Sequence, residues 1–204
     1  MIIAEHAQNS PEWFQARLGM PTASNFSSLI TSDGTPSKSA QGYAETLAGE
    51  LYAGQRLDSW QGNDYTQFGH DTEEEAALSY ALQHDAELQP IGFCESDDRR
   101  YGCSPDRLVG DDGVVELKCF PKRHISMLLY WHKHKRTPPE FIAQTQGELL
   151  VTGRAYCDLF FYSPVLPTLV IRQEPIPAIQ DALLVQIEKC IQERDRVLEI
   201  LRGM

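Results

Sequence analysis

The sequence lacks the features that mark several classes of protein. No apolar run approaches the roughly 20 residues that span a bilayer, so we expect no membrane segment. The opening residues, MIIAEHAQNS, lack a basic stretch followed by an apolar core, and we therefore expect no signal peptide. Internal repeats, low-complexity tracts and a clear linker are absent as well. A length of 204 residues without a linker predicts a single domain.

Cysteine is present, but not in the spacing of a structural or metal-binding motif. The five cysteines are odd in number and scattered, and no C-x-x-C sequence occurs. This pattern predicts neither a disulfide framework nor a zinc or iron–sulfur site. We expect the cysteines to be small buried hydrophobic residues with reduced thiols, in a cytoplasmic protein.

The net charge of −11 argues against a protein that coats nucleic acid nonspecifically. Acidic residues are nevertheless absent between Glu116 and Glu140, where aromatic residues alternate with basic ones. The basic residues of this interval are Lys118, Lys122, Arg123, Lys133, Lys135 and Arg136. The segment 120–137 is therefore either a local phosphate-binding surface or an ordinary solvated face.

The order of helical and strand-like patterns indicates the fold class. Helical patterns occupy about 10–84, strand patterns with further helices follow at about 87–174, and an amphipathic helix closes the chain at about 177–201. We expect an α/β fold in which a central mixed sheet is flanked by helices.

Local signals predict where the first helices begin. Ser10 before Pro11 is typical of a helix start, with serine as the N-cap. A second helix is expected from about Thr22 to Ile30. Thr72-Glu73-Glu74-Glu75 resembles a capping box, which predicts a helix that begins there and runs to about His84.

The stretch richest in chemical information is CSPDRLVGDDGVVELKCF, residues 103–120. Alternate side chains of a strand share a face, so Glu116 and Lys118 should point away from the apolar residues between them. Two charges on a buried strand require a reason. Asp106 and Glu116 would supply oxygen ligands for a divalent cation, and Lys118 a fixed positive charge. Such a trio suits metal-assisted hydrolysis of a phosphodiester.

A less specific interpretation of this stretch remains open. Asp111-Asp112-Gly113 is an ordinary hairpin turn signal. An aspartate followed some ten residues later by Glu-x-Lys also occurs by chance in many proteins.

Four segments of the chain match one family in order and in approximate spacing. They are WFQARLGMPTASNF (13–26), FGHDTEEEA (68–76), CSPDRLVGDDGVVELKC (103–119) and FIAQTQGELLVTG (141–153). Through them the chain resembles the phage lambda exonuclease family, the YqaJ-type viral recombinases, within the PD-(D/E)XK nuclease superfamily. The resemblance implies a restriction-endonuclease-like core.

The resemblance assigns roles to the trio and to its surroundings. Asp106, Glu116 and Lys118 correspond to the nuclease triad. Mg²⁺, for which Mn²⁺ would substitute, is expected on Asp106, Glu116 and the backbone carbonyl of Leu117. Lys118 is expected to position the attacking water or to stabilise charge at phosphorus.

Two helical residues complete the expected catalytic set. Glu73 matches the family's helix-borne metal ligand by its spacing from Phe68-Gly69. Whether Glu73 or a neighbouring glutamate, Glu74 or Glu75, completes the metal site stays open. Gln144 matches a glutamine that orients the water or contacts the scissile strand. Each also has an ordinary interpretation, as a helix-end glutamate or as an exposed amide.

Arg17, Ser24 and Ser104 correspond to family residues that hold the 5′-phosphate of a DNA end. Arginine presents a fork of donors that suits phosphate, and serine hydroxyls add shorter contacts. The alternatives are a surface arginine and a serine that merely begins a helix.

The resemblance implies a 5′-to-3′ exonuclease that digests one strand of linear duplex DNA to mononucleotides. The 3′ tail would pass to a single-strand annealing recombinase, and the enzyme would be a ring-shaped homotrimer. A related nuclease of other polarity, an endonuclease, and an idle DNA-binding or DNA-mimic protein are the alternatives.

Overall fold

The expected alternation of helices and strands is present in a computed structural model that describes residues 1–4, 6–57, 64–120 and 123–204. For residues 4 and 64–71 the description is of the backbone alone. The helices are α1 (Pro11–Arg17), a 3₁₀ helix (Ala23–Ser28), α2 (Ala40–Ala53), α3 (Asp64–His84), α4 (His124–His134), α5 (Pro139–Thr152) and α6 (Pro177–Arg202). The strands are β1 (Ile2–Ala4), β2 (Leu88–Pro90), β3 (Phe93–Glu95), β4 (Gly102–Cys103), β5 (Arg107–Val109), β6 (Gly113–Lys118), β7 (Tyr156–Phe161) and β8 (Leu169–Gln173).

The strands form two sheets. The larger has the order β2-β5-β6-β7-β8, and only its β6–β7 pair is parallel. The smaller is antiparallel, with the order β1-β3-β4. The predicted fold class, a mixed central sheet flanked by helices, is therefore confirmed.

Strand β6 lies in the middle of the large sheet and is covered on both faces. Val115, Leu117 and Cys119 pack in one hydrophobic cluster with side chains of α3. Glu116 and Lys118 lie on the opposite face, where they bond to each other and to a side chain of α5. The alternation predicted for this strand is confirmed, and it places two charged groups in the interior of the protein.

The 3₁₀ helix is attached to both α5 and the small sheet. A Cβ added at Gly147 of α5 would lie 2.4 Å from Cδ2 of Phe26, so only glycine permits this close approach. The backbone N–H of Gly102 donates to the carbonyl of Pro21 at 3.1 Å. The segment after Pro21 is thereby fixed next to β4, which leads directly into the Ser104–Asp106 loop.

The predicted first helix start is confirmed, because the Ser10 hydroxyl accepts the backbone N–H of Trp13 at 3.1 Å. The predicted second helix is only the 3₁₀ helix. The capping-box prediction is wrong, since Thr72 lies inside α3, which begins at Asp64. Threonine and glutamate are tolerated within helices, so a local start signal does not require a start.

Helix α6 packs against α2 and closes the fold, as the amphipathic pattern predicts. Its inward face carries Leu183, Ile187 and Ile191. All five cysteines are buried and unpaired, which confirms their expected place in the core. Within the described residues, no helix combines the length and hydrophobicity that crossing a bilayer requires.

Candidate active site

Asp106, Glu116 and Lys118 lie together at one end of β6. Asp106 sits in the loop before β5, and its Oδ2 atom accepts the backbone N–H of Leu117 at 2.6 Å. Lys118 Nζ donates to Glu116 Oε1 at 2.6 Å. The antiparallel β5–β6 hairpin brings the aspartate back to the strand that carries the other two residues.

The trio confines two acidic side chains of like charge, Asp106 and Glu116, beside one basic side chain, Lys118. Burial, and then the charge of Glu116, raise the pKa of the Asp106 carboxyl well above its ordinary value. Burial opposes the charge of Lys118, but Glu116 and Asp106 outweigh it and raise the pKa of the ammonium group. Lys118 is therefore a fixed cation at neutral pH, between two carboxyl groups that repel each other.

Glu73 approaches the trio from α3, and its Oε1 atom accepts Arg107 Nη1 at 2.9 Å. It lies close enough to Asp106 to contribute to the raised pKa of that carboxyl. Glu74 bonds to the same arginine but is exposed, and Glu75 accepts the hydroxyl of Tyr162 at 2.6 Å. Of the three glutamates, Glu73 is thus the one placed beside Asp106.

The donor set fits a hard divalent cation, but incompletely. Among the described residues, no group of three His, Cys, Asp or Glu side chains is arranged to hold a metal ion. The carboxyl group of Glu73 is instead engaged in an ion pair with Arg107. Glu116 Oε2, however, is buried and has no hydrogen-bond partner in the described part. An unpaired carboxylate oxygen beside a second carboxyl group is what a cation such as Mg²⁺ would satisfy.

Gln144 and Glu148 extend the site along one face of α5. Gln144 Nε2 donates both to Glu116 Oε1 and, at 3.0 Å, to Glu148 Oε1. Glu148 was not singled out in the sequence, although its position four residues after Gln144 predicts a shared helix face. The structure thus places the predicted glutamine in contact with the predicted metal ligand.

Arg17, Ser24 and Ser104 come together from three separate segments. Arg17 Nη1 donates to Ser104 Oγ at 2.8 Å, and Nη2 donates to Ser24 Oγ at 3.2 Å. Burial lowers the pKa of Arg17 to about 10, which leaves the guanidinium charged at neutral pH. This cluster borders a cavity of about 150 Å³ that Arg56 and Tyr43 also line.

Sequence reasoning missed two residues that orient Arg17. The guanidinium carbon lies 4.2 Å from the ring centroid of Trp13, and Trp13 Nε1 donates to Ser104 Oγ at 2.9 Å. Thr22 Oγ1 receives a longer bond from Arg17, at 3.4 Å. Trp13 stands at the start of the WFQARLG segment, one helical turn before Arg17, and this spacing was the available signal.

The described basic side chains proposed to bind DNA lie at the two ends of α4, and all of them are exposed. They are Arg123, Lys133, Lys135 and Arg136. Arg123 forms an exposed ion pair with Glu140 at 2.8 Å. Lys122 lies outside the described residues. Exposure is common to a DNA surface and a solvated face, so the DNA-binding role stays a prediction.

Comparison with known proteins shows which family the residues of the two clusters belong to. The model of the YqaJ-like viral recombinase domain matches residues 12–155, which include every residue of the two clusters. A search of curated proteins finds no match.

Solved structures with the same fold include two of an alkaline exonuclease from Laribacter hongkongensis. The two sequences are 28% identical. The structural alignment covers 95% of this chain and 97% of the exonuclease chain, with a TM-score of 0.82. The structure of this exonuclease in complex with dAMP gives a TM-score of 0.83. A phage-related exonuclease from Haemophilus somnus 129PT is 14% identical, with a TM-score of 0.71 over 89% of this chain and 96% of that one, and shares the fold.

The raised pKa of Asp106 predicts how stability depends on pH when a chelator is present. An unfolded aspartate loses its proton at about pH 4, and the native carboxyl at a higher pH. The native protein is therefore destabilised progressively as pH rises between these values, by about 1.4 kcal/mol per pKa unit. Asp106→Asn keeps an acceptor for Leu117 but removes the buried charge.

We expect urea denaturation to give the Asp106→Asn protein a higher free energy of unfolding than the wild type at pH 8. The advantage should shrink at pH 5, closer to the ordinary pKa of aspartate, because the raised pKa makes the native carboxyl take up a proton before the unfolded one does. An advantage that is absent, or equal at both pH values, would contradict the proposed electrostatics.

Proposed function

This chain belongs to the YqaJ-like viral recombinase family, and we propose that it is an Mg²⁺-dependent exonuclease acting on linear double-stranded DNA. It digests one strand in the 5′-to-3′ direction to mononucleotides. The observation that carries the proposal is the cluster of Asp106, Glu116 and Lys118, in which Glu116 is buried and the other two are partly exposed. Asp106 lies two residues along the chain from Ser104, whose hydroxyl accepts from Arg17.

The chemistry follows from the groups at the trio. Asp106, Glu116, the carbonyl of Leu117 and Glu73 would hold Mg²⁺. The ion would supply a more acidic water and a positive charge that polarises the phosphate. Lys118 supplies positive charge where negative charge develops at phosphorus. The nitrogen of Gln144 is bonded to Glu116, and its amide oxygen would accept a hydrogen bond from the attacking water.

The Arg17 cluster explains why such an enzyme would begin at a DNA end. A terminal 5′-phosphate carries more negative charge than an internal diester and suits an arginine fork with hydroxyl donors. Ser104 and Asp106 are separated by at most about 7 Å of chain. A phosphate held by Ser104 therefore leaves the adjacent phosphodiester near Asp106, which favours release of one nucleotide at a time.

The Arg17 cluster also favours an exonuclease over the alternatives, which are an endonuclease and a DNA-binding or DNA-mimic protein without catalysis. A pocket for a terminal phosphate has no use in an endonuclease or in a DNA mimic. A protein without catalysis also gains nothing from two repelling carboxyl groups in its interior, because apolar side chains would stabilise the fold better. The 3′ tail left by digestion would be the substrate of a single-strand annealing recombinase.

The catalytic assignment is tested on end-labelled linear duplex DNA with Mg²⁺. We expect Asp106→Ala, Glu116→Ala and Lys118→Ala each to reduce turnover by at least about 10²-fold, the effect of losing one preorganised electrostatic group. Chelation should abolish activity, and Mn²⁺ should restore it. Glu199→Ala, which removes an exposed glutamate of α6 far along the chain from these residues, is the control and should remain active. Near-normal turnover of Asp106→Ala would overturn the assignment.

End recognition is tested by comparing 5′-phosphorylated and 5′-hydroxyl duplexes. The wild type should degrade the phosphorylated end faster, and Arg17→Ala should reduce this rate by about 10²-fold while shrinking the preference. Arg196→Ala, which removes an exposed arginine of α6 paired with Glu193, is the charge-matched control. A wild type without preference, or a mutant that retains it, would show that the phosphate is held elsewhere.

The proposed homotrimer has two candidate contact surfaces. Leu78 and Leu82 form an exposed stripe on α3, and Ile125 and Leu129 form another on α4. The helices cover opposite faces of the sheet, because their buried residues pack on alternate side chains of β7. A contact between unlike surfaces repeats from copy to copy and can close into a ring.

Charge favours this head-to-tail pairing of a second copy. The α3 stripe lies among exposed Glu74, Glu75 and Asp85, whereas Lys133 and Lys135 follow the α4 stripe. Unlike stripes therefore attract, and like stripes repel. The basic side chains that this contact leaves uncovered, Arg123 and Arg136, would line the DNA path. Lys122, outside the described residues, is proposed to bind DNA as well.

Light scattering checks the ring. The wild type should have three times the protomer mass at micromolar concentration. Leu129→Glu places a charge in the proposed contact, opposite an acidic surface, and should give monomers. Val185→Glu, on the exposed face of α6, is the control and should stay trimeric. A monomeric wild type, or a trimeric Leu129→Glu protein, would contradict the proposed contact.

A further inference from the structure

Glu148 is a buried acidic residue to which the proposed chemistry gives no role. Its side chain lies on α5 and is 1% exposed. Oε1 accepts Gln144 Nε2 at 3.0 Å, and Oε2 accepts the thiol of Cys157 at 3.4 Å. No ion pair in the described part involves this carboxyl. Burying such a group without a cation is unfavourable, so its presence calls for a cause.

The contact with Gln144 supplies that cause. An amide donates through nitrogen and accepts through oxygen, and it has two N–H groups. Nε2 of Gln144 bonds to carboxylate oxygens of both Glu116 and Glu148. If the amide were flipped, its oxygen would face two acceptors and both bonds would be lost. The two carboxyl groups therefore fix the orientation of the amide.

The fixed orientation determines where the remaining acceptor of Gln144 points. With nitrogen directed at Glu116 and Glu148, the amide oxygen is turned away from both carboxyl groups. Gln144 is partly exposed, in contrast to its fully buried neighbours on α5. A partly exposed acceptor beside a metal ligand is suited to orient a water molecule.

We propose that Glu148 is a positioning residue. By accepting a hydrogen bond from Gln144, Glu148 keeps the amide nitrogen of Gln144 on Glu116 and the amide oxygen directed at the attacking water. The inference rests on the nuclease function proposed above. In this role Glu148 acts only through Gln144, to which it is bonded. Its removal should therefore lower the turnover number and leave KM for DNA unchanged.

The competing explanation is that Glu148 only ties α5 to β7 through Cys157. The two roles separate in a double-mutant cycle with Gln144→Ala. Glu148→Gln retains an oxygen that accepts from Gln144, and Glu148→Met has a similar shape without an acceptor. If Glu148 acts through Gln144, its substitution matters only while the glutamine is present.

The experiment measures kcat and KM on 5′-phosphorylated duplex, with melting temperature recorded for each variant. We expect Glu148→Met to lower kcat by about 10- to 100-fold, the scale of a small misplacement of a catalytic group. KM should stay within about twofold. Glu148→Gln should restore at least half of the activity. In the Gln144→Ala background, Glu148→Met should cause no further loss.

Each other outcome is decisive. Full activity of Glu148→Met, or equal losses with and without Gln144, would overturn the positioning role. If Glu148→Met does not fold, Glu148→Asp replaces it in the cycle, because the carboxylate is kept but withdrawn from Gln144, and the same pattern is expected. A wild type that does not degrade DNA would refute the proposed nuclease, whereas an active wild type with an additive cycle refutes only this inference.

Discussion

The rest of the site depends on the confinement of Asp106 and Glu116 beside Lys118. Strand β6 is covered on both faces, so its charged side chains cannot be solvated as they would be on a surface. The two carboxyl groups repel, and the ammonium group offsets only part of that repulsion. Additional positive charge is therefore electrostatically favourable at this site, and a divalent cation would supply it. Stability is reduced locally where the chemistry requires it.

The two candidate clusters are joined by backbone rather than by side chains. Strand β4 carries Ser104 and Asp106 on the loop that follows it, and the 3₁₀ helix is bonded to the same strand at Gly102. Helix α5 supports the 3₁₀ helix through the contact of Gly147 with Phe26 and presents Gln144 to Glu116. One helix thus supports both the Arg17 cluster and the trio of Asp106, Glu116 and Lys118. These packed elements hold the two clusters at a set separation, as the proposed stepwise release of nucleotides would require.

Local patterns succeeded where a single physical rule controlled the outcome. The period of two along β6 placed Glu116 and Lys118 on one face, and the Ser10–Pro11 signal located the start of α1. The capping-box pattern at Thr72 failed because α3 begins at Asp64, eight residues earlier, and threonine and glutamate are compatible with a helix interior. The strand patterns that begin at about residue 87 are divided between the two sheets, since β2 ends at Pro90 and β3 pairs in the other sheet.

The sequence by itself determined the residue types, the facing of β6 and the family, because these depend on short-range periodicity and on motif order. Only the tertiary structure decided which groups meet. Arg17 reaches Ser104 across 87 positions of sequence, and the bond is oriented by Trp13. The bond between Gln144 and Glu116 spans 28 positions, and the nearness of Glu73 to Asp106 depends on an ion pair with Arg107. Such contacts arise from the docking of helices onto the sheet, and no local spacing in the chain encodes them.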